Sequence, residues 1–285
     1  MLSEAAVSLM RDVFGQPNLF LNSTRILRRI VQWGPDSEPR TLDHSAVVVS
    51  EQELLADLGA LPSESGAADW TVCASRPLPA DVAEYRFGGR SATAFPVDLT
   101  SEAEPAACWM ESLDAGWLFL ITNQPGKGWL LSVGDSALTR SRLIAPLIAR
   151  CGQTTGTFSS SPRIVAPLTG PNWLACGTAA LTFDPICGDG TANAVREAIL
   201  AAAVIEGIAN GGDAPSLRAH YESRLTAGFR RHLEMCLAFY RSGGAGDWWR
   251  SEAEALRTGV AFCDAQNSPN PAFQYRLNGF RLEAL

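Results

Sequence analysis

The chain holds 285 residues, 46% of them apolar and 19% charged, an ordinary balance for a folded protein with length enough for a substantial core. Lys and Arg total 23 against 30 Asp and Glu, a formal charge of -7, which argues against a chain built to coat a phosphate backbone and so against nucleic acid as a partner. The opening MLSEAAVSLMRDVFG has no apolar core of a signal peptide, no run is long enough to span a membrane, and the seven cysteines lie apart without a C-x-x-C pair. Cytoplasmic residence with reduced thiols, no membrane partner and no metal centre are the expectations.

Residues 1–33 read as mainly helical, with Thr24–Val31 an apolar and basic helix that Asn22 or Ser23 caps and Trp33-Gly34-Pro35 ends. Ser45–Ser50 reads as a short β-branched strand, Glu51–Leu58 as a helix of one or two turns, residues 62–69 as a polar connector, and Trp70–Ala74 as a strand. Tyr85–Leu99, Ala107–Asp114, Gly116–Thr122 and Gly128–Val133 are rich in aromatic and branched residues and separated by turn signals, so they predict a mostly antiparallel sheet. Thr139–Cys151 predicts a compact helix on that sheet, and Arg163–Pro167 and Trp173–Cys176 predict further short strands. Ala192–Asn210, Ala-rich and nearly uncharged on most faces, predicts a helix packed inside the protein, stopped by Gly211-Gly212-Asp213. Leu217–Arg241 follows as a long amphipathic helix, then a Gly-rich link, a last helix at Trp248–Gly259 and an irregular tail.

The stretch from Asn172 to Ile208 carries the most chemistry. Gly177 ends a short apolar strand, where a missing side chain lets a ligand approach the backbone. Pro185 fixes the chain before Gly188 and Gly190, and Thr191 is placed to cap the following helix, whose first N–H groups suit an anion or an electron-rich carbonyl. Gly188-x-Gly190-x-x-Asn193 lacks the third glycine and the βαβ setting of the dinucleotide fingerprint. Two readings of these residues stand side by side: a tight turn capping a core helix, and a cofactor or anion site. The second needs an open slot beside Gly188–Asn193, one that neither Trp173 nor Phe183 fills.

Other candidates are weaker. Glu111 and Asp114, three apart in an extended segment, read as strand-edge or turn residues rather than an acid and base pair. Trp117, Phe119 and Trp129 are either core or the wall of an aromatic-substrate pocket. His220 and His232 are too far apart on their helix for a metal pair, Ser159–Ser161 lacks the nucleophile-elbow pattern, and Cys187 reads as a small packing residue with no local cation. Trp248-Trp249 reads as a buried anchor for the C-terminal helices.

Taken in order, Gly177-Thr-Ala-Ala, Asp184-Pro185, Gly188-x-Gly190 and Asn193 before an Ala-rich helix resemble the second flavin-binding motif of FAD-dependent monooxygenases and halogenases with the para-hydroxybenzoate hydroxylase type of fold. Cys108–Ile121 and Gly128–Val133 are similar to the substrate-domain sheet of halogenase-like members, and Arg29, Trp33-Gly34 and Trp70–Arg76 to weaker stations of the same family. The resemblance implies an α/β (α+β) chain: an incomplete FAD-binding Rossmann-like domain interleaved with a mostly antiparallel substrate-domain sheet, and a helical C-terminal region. It divides the chain into a partial FAD-domain segment at 1–80, the sheet at 81–165, the second flavin motif and its helix at 166–212, and the helical region at 213–285.

By the same resemblance the FAD-binding residues are Gly177, Thr178, Pro185, Gly188, Gly190 and Asn193, with no catalytic acid or base assigned. The implied activity is that of an FAD-dependent, monooxygenase-like oxidoreductase on an aromatic or apolar small molecule, with a flavin reductase as a possible partner. Two departures accompany it. Thr178 stands where the family motif has Asp, losing a charge-assisted hydrogen bond. The family's early G-x-G-x-x-G is also missing, as though the chain began downstream of that βαβ unit. The halogenases' early lysine has no counterpart, so halogenation is not favoured over hydroxylation. A non-catalytic flavoprotein-like protein that binds a ligand or partner, and an incomplete fragment of the enzyme, are the alternatives.

Overall fold

A short strand, β1 (Leu2–Ser3), leads into α1 (Glu4–Phe14) through Ser3, whose Oγ accepts the Ala6 amide at 3.2 Å and satisfies one of the helix's orphan donors. Gly15, at φ 61°, ends that helix. These features belong to a computed structural model that describes residues 1–59, 69–188, 190–266 and 275–285. The expected connector at 62–69 lies, except for Asp69, outside the described residues, as does 267–274 of the expected tail.

The chain continues through β2 (Thr24–Gln32), β3 (Arg40–Val48), α2 (Glu51–Leu58), β4 (Thr71–Cys73), β5 (Ala83–Arg86), β6 (Ser91–Leu99), β7 (Ala107–Leu113), β8 (Gly116–Gln124) and β9 (Lys127–Gly134). Next come β10 (Ile148–Cys151), β11 (Gly156–Ser159), β12 (Arg163–Ala166), β13 (Trp173–Ala175), a single turn α3 (Gly177–Ala180) and β14 (Leu181–Thr182). The helices α4 (Gly190–Ala209), α5 (Ala214–Gly243) and α6 (Asp247–Gln266) and a hairpin of β15 (Tyr275–Asn278) and β16 (Arg281–Ala284) complete it. No helix among the described residues is long and apolar enough to cross a membrane.

These elements group into two units. The first contains Met1–Pro62, Gly88–Ser160 and Leu237–Glu254; the second contains Ser63–Phe87, Ser161–Cys236 and Ala255–Leu285.

The first unit is built on one sheet in the order β1-β3-β2-β7-β8-β9-β6-β10, with β11 also on β6. Only the β2 and β7 neighbours run parallel, so the mostly antiparallel sheet is present and takes in the N-terminal strands too. Strand alternation sorts the core: Trp109, Leu118, Leu120 and Leu130 gather with Val97 and Ile144, while Ile26, Ala46, Cys108 and Ile121 form a second cluster.

Two helices expected from the sequence are not formed. Thr24–Val31 is the strand β2, preceded by no helix cap at Asn22 or Ser23. A bulge between Ile26 and Arg28 breaks the period of two, with the Leu27 and Arg28 amides both donating to Ala106 O. Across the bulge Ile26 joins the Cys108 and Ile121 cluster while Ile30 packs against the Trp109 cluster, and the apolar residues Ile26, Leu27, Ile30 and Val31 fall at a spacing that imitates a helix face. Thr139–Cys151 forms two 3-10 turns and β10 instead of a compact helix. Pro146 removes a donor there, and the Glu111 carboxylate accepts the amides of Arg142 at 2.8 Å, Leu143 at 3.2 Å and Ile144 at 3.2 Å as well as the Ser141 hydroxyl. Glu111 is thus a buried loop anchor rather than a strand-edge polar residue.

A ring cluster closes the other part of this unit. Trp117 is fully buried and its Nε1 donates to Tyr240 Oη at 3.1 Å, while Trp249 donates to Leu113 O at 2.9 Å and meets Trp33 edge to face. Trp117 and Trp249 are therefore core anchors. Trp129, by contrast, stays 39% exposed, and Phe119 packs at the margin of the Ile26 cluster.

The second unit has a three-stranded antiparallel sheet, β14-β12-β5, and a parallel pair, β13-β4. Helix α4 buries Ala192, Leu200, Ala201, Ala203 and Val204 but leaves Ala198 and Ala202 exposed, so it is covered on one face rather than enclosed. It begins at Gly190, which places Thr191 inside the helix and not at its cap.

Replacing Glu111 by Gln substitutes an NH2 for one acceptor oxygen and turns it toward N–H and O–H donors. Glu111→Gln is expected to lower the unfolding free energy by ~2 kcal/mol, measured by urea denaturation of the two proteins side by side.

Candidate functional site

Within the second unit, β13 ends at Ala175 and the backbone turns sharply at Gly177, where φ is 56°. That left-handed conformation suits glycine, and it turns the Gly177 N–H inward to the Glu197 carboxylate at 2.8 Å. After β14, Asp184 caps a 3-10 turn, Pro185–Cys187, by accepting the Ile186 amide at 3.0 Å. Gly188 closes the turn at φ 64°, and α4 begins two residues later.

This path encloses a cavity of about 180 Å³. Gly177, Thr178, Pro185, Gly188 and Gly190 all line it, so five of the six residues singled out in the sequence are brought together. Asn193 is not among the lining residues; its Oδ1 accepts from Arg196 at 3.2 Å. Trp173 is also absent from the lining, and Phe183 forms part of the wall beside a slot that remains open. A Cβ built on Gly188 or Gly190 would meet nothing within 4 Å. A larger depression of about 510 Å³ in the first unit is lined by the loop after α1 with Glu53 and Asp57, and holds none of these residues.

Two charged residues that the sequence did not single out shape the site. Glu197 lines the cavity from α4, and burial pushes its carboxyl up to about 7 against the lowering effect of the Gly177 amide. Arg163, on β12, donates to Thr178 O, to Thr182 Oγ1 at 2.9 Å and to Ala179 O at 3.5 Å, holding the α3 turn from behind. Beside them, burial raises Cys176 to about 12 and raises the Tyr221 phenol, which donates to Ala175 O at 2.7 Å. The local signal for Glu197 was an acid in a helix that is mostly apolar, with Arg196 and Glu206 as its other charged residues.

A third group was equally hidden. Cys187, His232 and Cys236 bring their side-chain heteroatoms within 4.8 Å of one another at the back of the 3-10 turn. Cys187 therefore has a histidine and a second thiol beside it, in place of the purely apolar packing expected. His220, by contrast, sits against Tyr275 at 5.4 Å between ring centroids, away from that group.

The wall combines glycine backbone, an apolar ring at Phe183 and the start of a 20-residue helix, whose dipole favours an electron-rich group.

No protein-family model matches the chain, and no curated protein matches it. Solved structures do. The peptidyl tryptophan dihydroxylase QhpG, essential for tryptophylquinone cofactor biogenesis, matches with a TM-score of 0.71 and 17% identity over 100% of this chain and 77% of its own. The myxobacterial chondrochloren halogenase CndH, an FAD-dependent halogenase, gives 0.73 and 15% over 96% and 83%; the flavin-dependent halogenase CmlS gives 0.68 and 15% over 90% and 61%. The fold is therefore that of flavin-dependent monooxygenases and halogenases: a mixed sheet interleaved with helices, and a helical C-terminal region.

Because the carboxyl of Glu197 lies above its ordinary 4.5 when folded, its contribution to stability is fully present below that pH and is lost as pH rises through about 7. Glu197→Gln keeps an acceptor for the Gly177 amide and removes the titration. The variant should match the parent near pH 4 and exceed it by ~3 kcal/mol near pH 8, measured by denaturant titration at both values.

Proposed function

We propose that this protein is an FAD-dependent oxidoreductase of the monooxygenase type, acting on an aromatic or otherwise apolar small molecule. The observation that supports it is the cavity lined by Gly177, Thr178, Pro185, Gly188 and Gly190, the same residues that resemble the flavin motif. Its volume of about 180 Å³ suits the edge of a ring system, not a whole dinucleotide. The open space outside Gly188 and Gly190 gives such a ring a way in.

When bound, FAD would supply the redox chemistry with oxygen, and a separate flavin reductase is the partner that would deliver electrons to it. The protein's part is to hold and orient. Gly188 and Gly190 leave their backbone accessible, so N–H groups at the start of α4 can face a carbonyl edge. Phe183 supplies an apolar wall that excludes water on one side. The hydroxyl of Thr178, an exposed residue of the cavity lining, would contact a ribityl or ribose oxygen where the family motif carries an acid. Glu197 fixes the Gly177 turn and keeps a titratable proton beside the cavity. Asn193 has no part in this arrangement through its side chain.

A second reading, a flavoprotein-like domain that binds a ligand without turnover, is favoured by one residue, Thr178, whose neutral hydroxyl makes a weaker contact than a carboxylate.

Titration of the purified protein with FAD, followed by quenching of flavin fluorescence, tests the main reading. Saturable binding is expected, and no binding even at high FAD would sink it. Gly190→Val adds its side chain to open space at a helix start, so stability should stay within ~0.5 kcal/mol of the parent. FAD affinity should nevertheless fall by ~10-fold or more as the branched group blocks the ring edge.

A further inference from the structure

The thiols of Cys187 and Cys236 lie 3.6 Å apart, and among the seven cysteines, none in a disulfide, they form a pair that the flavin reading does not use. Cys236 is fixed in α5 and has no solvent exposure, whereas Cys187 is half-buried at the end of the 3-10 turn. The two are therefore unequal: a small oxidant meets Cys187 first, and Cys236 waits behind it.

The same group offers three metal ligands in principle, but its hydrogen bonding argues for thiol chemistry. His232 Nε2 accepts the Asp184 amide at 2.8 Å, which engages the lone pair that a metal would need. Cys236 Sγ lies 3.3 Å from the same nitrogen. The Cys236 thiol, donated toward Cys187, holds the Cys187 thiol below its ordinary range, with burial opposing. A thiolate at Cys187 is the nucleophilic form.

We propose that Cys187 and Cys236 are a peroxide-oxidised dithiol, with Cys187 the attacking sulfur and Cys236 the resolving one. The Cys187 thiolate attacks one oxygen of hydrogen peroxide, the O–O bond breaks, and sulfenic acid forms with release of hydroxide. The Cys236 thiol then attacks the Cys187 sulfur, the S–O bond breaks, and water leaves with the Cys236 proton. The net change is two thiols and one peroxide to one disulfide and two waters. Closing 3.6 Å to a bond needs the sulfurs to approach by roughly 1.5 Å. The turn that carries Cys187 has room for this, because the adjoining Gly188 has open space around it. The resulting bond ties the cavity's Pro185–Gly188 wall to α5, whatever the cavity binds.

The test treats the reduced full-length protein with about one equivalent of hydrogen peroxide and maps the cysteines by differential alkylation and mass spectrometry. The expected result is joint loss of Cys187 and Cys236 alkylation before the exposed Cys151 reacts, with a Cys187–Cys236 linked peptide two hydrogens lighter and restored by dithiothreitol. In Cys236→Ser, Cys187 should accumulate as a sulfenic acid trapped by dimedone. Earlier oxidation of Cys151 with the pair still alkylatable would overturn the proposal. So would over-oxidation of Cys187 in the parent without a linked peptide, or one equivalent of copurifying zinc that blocks the reaction.

Discussion

The hydrogen bond from the Gly177 amide to the Glu197 carboxylate sets the geometry around the candidate site. It joins the end of a strand to the second turn of a 20-residue helix across a separation of 20 residues. A left-handed glycine is needed to turn the amide inward, and a buried acceptor is needed to receive it. Each requirement makes sense only with the other: an unpaired amide in that position would be penalised by desolvation, and an unpaired carboxylate more heavily. Arg163 completes the arrangement from the opposite side by taking three acceptors of the α3 region, so the turn is held between a base on β12 and an acid on α4. The cavity is the space this clamp leaves in front of it.

The first unit solves a comparable problem with different means. Its sheet is apolar on both faces, and the loop that follows β9 must cross one of them without a helix to satisfy its amides. Glu111 does this from within a strand, taking three consecutive amides and a hydroxyl. The other face is closed by rings, where Trp117, Trp249 and Tyr240 each find a partner or a ring contact while remaining almost wholly buried. In both units a carboxylate far from solvent organises a segment of irregular backbone, and the backbone amides it accepts explain why Glu111 and Glu197 are buried.

What the sequence shows and what it hides follow from distance along the chain. Gly177 and Gly188 announce themselves because their left-handed backbone requirement is local, and the strands β6 to β9 because alternation and turn residues lie side by side. Of the long helices, α4 and α5 are legible to within three residues, whereas α6 runs to Gln266, seven residues past the expected end at Gly259. Glu197, Arg163 and the Cys187–Cys236 pair are not, since each acts on a partner brought near only by folding, in the last case 49 residues away. β2 illustrates a different limit: a bulge interrupts its alternation, and its apolar residues fall at helical spacing. The loop at 138–147 illustrates a third, because its helical composition is overridden by Pro146 and by an acceptor on another strand. Thr191, expected as a cap, lies inside a helix that starts one residue earlier.

The parallel contact between β2 and β7 decides which strand borders the sheet. β1, β3 and β2 together shield the flank of β7, a strand whose Cys108, Trp109 and Met110 are nearly free of solvent. Without that cover β7 would become a border strand with a row of unpaired amides and carbonyls flanked by large apolar groups, the kind of template on which other chains add strands. The N-terminal strands place charge where the sheet meets solvent instead: Arg40 and Asp43 on β3 are exposed, while β7 stays inside. The first fifty residues thus cover what would otherwise be the border strand of this sheet.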